Sequence, residues 1–385
     1  MHFQPLQNMM EELTAWRYPG NAAVVYVGGK RVFSYASGFA DLKTQEPMTA
    51  EHHLNLYSCS KIATVTAALQ LWEKGTLGLD DPLHAYIPEF RYMAVKSPEG
   101  LRDATVPITL RHLFTMTAGM NYDTGAPAFE QARLCTQGRM DTLEVIRCLA
   151  EEPLEFEPGT HWRYSLCHDV LAGVVELVSG KKFRDYVKEN IFDPLGMESA
   201  CYHNEAVQHK MASLYRYVTG DITDPVILQS GLCPQGEGYW KEITDKTSHY
   251  VFGPEYDSGG AGITGTTEDY AKLCAALANS GMGLTGERIL KSTTLELLRQ
   301  NALNKIQLAD FNWPQLKGFG YGLGVRTVLP GAATGEFGWG GAAGSSVFVD
   351  SDAKACLFYA AHMLNPMEEY YQPRIRRAFY ESLKG

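Results

Sequence analysis

Ser58 and Lys61 stand three residues apart in the stretch "YSCSKIATVTAALQLWEKG". On a helix that spacing puts hydroxyl and amine on one face, close enough to exchange a proton. A serine at a helix N-terminus also has its own N–H free to hold a developing oxyanion, with help from the helix dipole. The amine must be neutral to accept a proton, which burial can bring about. The same four-residue pattern recurs at Ser179/Lys182 and Ser351/Lys354. Ser179 precedes Gly180, a helix-stop residue, and so belongs to the wrong helix end. Ser351 falls in "VDSDAKAC", a turn between strands. Only Ser58 opens an apolar helix, and there it competes with a plain role as N-cap.

Two further groups could join it. Tyr164, in "HWRYSLCHDVLAGVVELVSG", lies just before a helix among polar residues, as a reactive phenol or a packed ring. Trp339-Gly340-Gly341 opens an expected strand in "FGWGGAAGSSVFVD". Glycine in a strand marks either close approach of a ligand to the backbone or a bulge.

The elements that must position these groups follow from periodicity. "NAAVVYVGGKRVFSYASGFAD" predicts a hairpin turning at Gly28-Gly29. Residues 58 to 74 predict a helix ended by Gly75. From about 85 to 285 helical patterns dominate, and "LCPQGEGYWKEITDKTSHYVFGPEYDSGGAGITG" reads as long aromatic-rich loops near a site. Strand character returns in "KGFGYGLGVRTVL", "GEFGWGGAAGSSVFVD" and "KACLFYAAHM", before a closing helix at about 367–383. The expected fold is α+β: an antiparallel sheet flanked by helices and built from both termini (1–85 plus 285–385). A mostly helical domain (86–284) is inserted, with the site in the cleft between them.

Composition narrows the function. The chain has 385 residues, 45% of them hydrophobic, and a formal net charge of −10. Clustered Lys and Arg are missing, which disfavours nucleic acid and anionic membranes as partners. No basic, apolar leader and no spanning run is visible, and eight cysteines in such a chain read as free thiols, so the cytoplasm is expected. No C-x-x-C or H-E-x-x-H occurs, so neither a metal nor another cofactor is expected. The lack of a G-x-S-x-G elbow disfavours an α/β-hydrolase. His52-His53 reads as surface, and His168-Asp169 as helix-start polarity. Trp240, Tyr239, Tyr250, Tyr256 and Trp313 are candidates to line the cleft, about half of them for packing alone.

In combination, Ser-x-x-Lys before a long helix, Tyr-Ser-x about a hundred residues later and Trp-Gly-Gly near the C-terminus are specific. In that order they resemble the serine β-lactamase and penicillin-binding-protein superfamily, in particular its class C-like branch with the family VIII carboxylesterases. "ITLRHLFTMTAGM", "GGAGITGTTEDYAKLCAALANSG" and "FGYGLGV" also look like family segments. The resemblance implies Ser58 as acylated nucleophile, Lys61 as proton acceptor and Tyr164 in the proton network. It implies an oxyanion hole from the Ser58 and Ala342 N–H groups, and Cys59 and Ser60 as variable positions.

Two departures from the family pattern point to a substrate. Leu166 stands where β-lactamases and D,D-peptidases usually carry Asn, and Trp339 where they usually carry Lys. Both remove polar recognition, and Trp339-Gly340-Gly341 looks like the esterase branch. The expected activity is that of a serine carboxylesterase on small to medium esters. Alternatives are a β-lactam or D-amino-acid amide hydrolase, an acyltransferase, and a non-catalytic binding protein of the same fold.

Overall fold

The computed structural model describes residues 1–219, 238–244, 246 and 250–385. Its centre is an eight-stranded antiparallel sheet. The strands run in the order Phe319–Tyr321, Arg326–Val328, Glu336–Gly338, Ser346–Asp350, Ala355–Ala361, Gly20–Val27, Lys30–Asp41 and Glu46–Pro47. The expectation of a sheet built from both termini is borne out. Its seam is the pairing of Gly20–Val27 with Ala355–Ala361, where Val24 faces Phe358. Gly28 and Gly29 turn the first hairpin at φ +56° and +76°, a left-handed pair that residues with a Cβ adopt only at a cost.

Helices cover both faces, so the central strands are apolar on both sides rather than alternating. Ala23, Val25, Leu357 and Tyr359 pack against the terminal helices Gln4–Trp16 and Glu368–Lys384 through Leu6, Met10, Leu13, Ile375 and Phe379. Ala22, Val24, Phe358 and Ala360 face the helix Thr267–Ala278, whose Tyr270 ring lies 4.7 Å from that of Phe358.

The middle of the chain is helical but not only that. Helices Leu110–Phe114, Pro127–Cys135, Thr142–Leu149 and Cys167–Ser179 are joined by an outlying hairpin, Ala94–Ser97 with Gly100–Asp103. The stretch 232–265, expected as loops, has two strands among its described residues. Gly238–Ile243 pairs with Leu214–Thr219, and Ile263–Thr266 pairs with His53–Asn55. Residues 232–237, 245 and 247–249 of that stretch lie outside the described residues. Weak periodicity hid these strands, because strands this short carry few alternating positions.

The decoy motifs sit where expected. Gly180 caps the helix Cys167–Ser179 in the left-handed conformation, and Ser351–Lys354 is the turn between two sheet strands. His53 departs from expectation. It is buried, because His53–Asn55 is the middle of local pairing with Ile263–Thr266 and a bridge to Met211 rather than an exposed approach.

Candidate active site

The strand His53–Asn55 delivers the chain to Ser58. Leu56 N–H donates to Ile263 O (2.9 Å), and Tyr57 then turns with φ +46°, a left-handed value rare for a bulky residue. A single 3₁₀ turn, Tyr57–Cys59, leads into the helix Ser60–Glu73. Ser58 therefore stands just ahead of the helix rather than as its first residue, and its side chain makes no cap. Ser60 faces away from the cleft, where its Oγ accepts from Ile263 N–H (2.9 Å). Cys59 is buried beneath, its Sγ 3.3 Å from Ser345 Oγ.

Ser58, Lys61 and Tyr164 are brought together. Tyr164 donates its phenolic O–H to Ser58 Oγ at 2.6 Å, and Lys61 Nζ lies 3.3 Å from the same oxygen. Lys61 Nζ also donates to Gly260 O (2.8 Å) and to Tyr122 Oη (3.3 Å). A neutral amine has two N–H groups and one lone pair. With the two N–H groups given to Gly260 and Tyr122, the lone pair is left for the hydroxyl proton of Ser58. Burial drives Lys61 toward that neutral form, lowering it to about 7 against the smaller opposing pull of Asp169. Burial likewise pushes Tyr164 and Tyr122 up, so both keep their protons at neutral pH.

Tyr122 and Asp169 complete this arrangement, and neither was identified from the sequence as part of it. Tyr122 stacks on Tyr164 with ring centres 5.2 Å apart. "MNYDTG" offered only a lone tyrosine with no spacing to another reactive residue. Asp169 lies in the first turn of the helix Cys167–Ser179, as the helix-start reading expected, but it is fully buried there. Its Oδ1 accepts from Tyr256 (2.9 Å) and Ser258 (2.7 Å), while Oδ2 has no hydrogen-bond partner among the described residues. A Cβ on Gly260 would stand 2.4 Å from Asp169 Oδ2 and 3.2 Å from Lys61 Nζ. Glycine alone lets carboxylate, peptide and amine share that space. His168 is buried next to Phe114 O, and burial holds it near 3, hence neutral.

Above Ser58 opens a pocket of about 200 Å³, lined in part by Tyr164, Tyr250, Trp313, Trp339, Gly340 and Ala342. Trp339 follows the strand Glu336–Gly338, so Trp339-Gly340-Gly341 is the turn out of one strand and not the start of the next. Its indole N–H donates to Tyr164 Oη (3.4 Å), and its ring stacks 5.6 Å from Tyr164. Gly341 is where backbones close up: a Cβ there would be 2.3 Å from Leu56 O.

Leu166 is not in this pocket. It is buried at the start of the helix Cys167–Ser179, on the far side of Tyr164, facing Met120 and Leu149. The apolar side chain at this position packs into the core instead of reaching toward substrate. Of the aromatic candidates, Tyr250 and Trp313 line the pocket and Tyr256 supports Asp169. Trp240 packs on Tyr217 and donates to Arg17 O (2.8 Å), and Tyr239, in the same strand, is not among the lining residues.

Comparison with known proteins fits this geometry. The Beta-lactamase family model matches residues 6–380. The chain belongs to that family. It is 31% identical to Esterase EstB of Burkholderia gladioli, over 87% of this chain and 83% of that protein. It is 27% identical to Lovastatin esterase of Penicillium rubens, over 91% and 90%. Among solved structures it is similar to "EstCE1, a hydrolase with promiscuous acyltransferase activity". There the TM-score is 0.75 at 28% identity, covering 98% of this chain and 99% of that one. The resemblance carried by the three motifs is thus borne out, as is the expected α+β fold.

Proposed function

We propose that this protein is a serine carboxylesterase that works through an acyl-enzyme on Ser58. The observation that carries the reading is the convergence of Lys61 and Tyr164 on one hydroxyl, with Lys61 lowered to about 7. In acylation Ser58 Oγ attacks the ester carbonyl carbon and its proton passes to neutral Lys61. The tetrahedral oxyanion is received by the N–H groups of Ser58 and Ala342. The alcohol then leaves with a proton returned through Lys61 and Tyr164. Water repeats the sequence on the acyl-enzyme, giving up a proton to the same network and releasing the acid.

The cleft is read as lying between a sheet unit (1–85 plus 285–385) and a helical unit (86–284). Trp313, Trp339 and Tyr250 give it an apolar rim suited to a small or medium ester. The esterase names of the relatives support the substrate class. Free thiols among the described residues, several of them buried, support a cytoplasmic setting.

The experiment is intact-mass detection of the acyl-enzyme during turnover of p-nitrophenyl butyrate. Wild type should gain one butyryl group and hydrolyse the ester, and Ser58→Ala should do neither. Turnover retained by Ser58→Ala would sink the proposal. The promiscuous acyltransferase activity of EstCE1 favours a second reading, transfer of the acyl group to an alcohol. Added butanol would then divert product from acid to butyl ester at an unchanged acylation rate.

A further inference from the structure

The pocket has a second wall that the esterase chemistry leaves unused. Glu368 lines it from the first turn of the helix Glu368–Lys384, half-buried, beside Gln315, Gln372 and Arg326. Gln315 Nε2 donates to Glu368 Oε2 at 2.8 Å, which fixes the carboxyl group. Its Oε1 has no hydrogen-bond partner among the described residues and is not sealed from solvent. Arg326, which lines the same pocket, is turned mainly to another carboxylate, although its Nε has no hydrogen-bond partner among the described residues. Its guanidinium donates to Glu336 Oε1 (2.5 Å), a carboxylate also held by Arg376 (2.9 Å), and lies over the ring of Phe319.

We infer that Glu368 is a specificity-determining residue: its open oxygen accepts a hydrogen bond from the substrate, selecting esters whose tail ends in an amine or hydroxyl and rejecting tails that end in a carboxylate. This rests on the esterase reading of the same pocket and deepens it. An aromatic rim holds the tail's carbons while a fixed acceptor takes its polar end, which suits a bifunctional substrate better than a plain alkyl ester. A carboxylate tail would meet the like charge of Glu368, while the nearby guanidinium of Arg326 is already paired with Glu336.

Burial raises Glu368 to about 7, so the wall gains its negative charge as pH rises through that value. The groups whose charges act with it are Glu369 on the same helix, Tyr164, Tyr371 and Tyr18, and the Cys59 thiol, while Arg326, paired with Glu336, lines the same pocket.

The test uses four p-nitrophenyl esters of matched chain length ending in methyl, hydroxyl, ammonium or carboxylate. The readout is kcat/KM relative to the methyl ester, for wild type and Glu368→Gln. In wild type the ammonium ester should be favoured and the carboxylate ester disfavoured, each by about tenfold or more. Glu368→Gln should shrink both ratios toward one. The ammonium preference of wild type should grow between pH 6 and 8, whereas titration of Lys61 acts on both esters alike and cancels in the ratio. Ratios that Glu368→Gln leaves within twofold of wild type would overturn the inference. Binding of the same esters to Ser58→Ala, followed by calorimetry, separates it from the esterase reading. A tail preference in binding without wild-type turnover would keep the role of Glu368 and remove the hydrolysis. Turnover without any tail preference would do the reverse.

Discussion

A lysine that takes a proton from serine is useful only in the fraction of molecules where it is uncharged. For Lys61, lowered to about 7 by burial, that fraction rises as pH rises through 7. Tyr164 and Tyr122, pushed up by burial, contribute no limb in the same range. kcat/KM for a neutral ester should therefore climb along an acid limb centred near pH 7 and then level off. Asp169, across Gly260 from the amine, stabilises its charged form and so opposes this. Asp169→Asn removes that opposition and should move the limb to lower pH by about one unit. A pH–rate profile of both proteins checks it, and a limb that stays in place would show that Asp169 only braces Tyr256 and Ser258. Ser58 and Lys61 were legible from sequence because their relation is local, three residues on one helix. Tyr164 was legible through its company with them. Tyr122, Asp169 and Glu368 were not, because each is a single residue brought to the pocket by tertiary packing. Leu166 shows the opposite error, in which a position in a motif was legible and the direction of its side chain was not.

Among the elements, the turn Trp339–Ser345 and the segment Leu56–Ser58 hold each other in place. Ser345 Oγ donates to Leu56 O (3.0 Å), Gly341 N–H donates to Ser345 O (2.8 Å), and Cys59 Sγ lies 3.3 Å from Ser345 Oγ. This fixes Ala342 relative to Ser58, the two residues proposed to hold the oxyanion. A methyl group on Gly341 would meet Leu56 O and Ser345 Oγ at 2.3 Å each, and neither can retreat without moving one of the two segments. On Gly340 the nearest atom is the end of the Gln372 side chain, which can swing away. Gly341→Ala should therefore lower kcat by about 100-fold, the scale of an ångström's misplacement. Its cost in stability should be only about 1–3 kcal/mol. Gly340→Ala should lose much less of both. Steady-state kinetics beside urea titration decides it, and equal losses in the two variants would count against this account. The sequence pointed to close approach at these glycines but put them in a strand, since glycine marks both a turn and a tight backbone contact.

Over the whole molecule, what matters is that the sheet's seam joins residues more than three hundred positions apart. Gly20–Val27 has Lys30–Asp41 on one side and Ala355–Ala361 on the other, and every residue from Ala355 to Ala361 is buried. Neither terminal segment has a core of its own, because the helices Gln4–Trp16 and Glu368–Lys384 pack on the face that both strands build. Amides in these two strands should consequently exchange with solvent only through global unfolding, at one common free energy. The hairpin Ala94–Ser97 with Gly100–Asp103 is mostly exposed and lies outside that sheet, so its amides should exchange much faster by local opening. Hydrogen exchange followed by mass spectrometry over a range of urea concentrations measures both. Protection in Gly20–Val27 lost at lower urea than in Ala355–Ala361 would mean that the N-terminal hairpin detaches as a separate unit. The central sheet would then be two cooperative bodies instead of one.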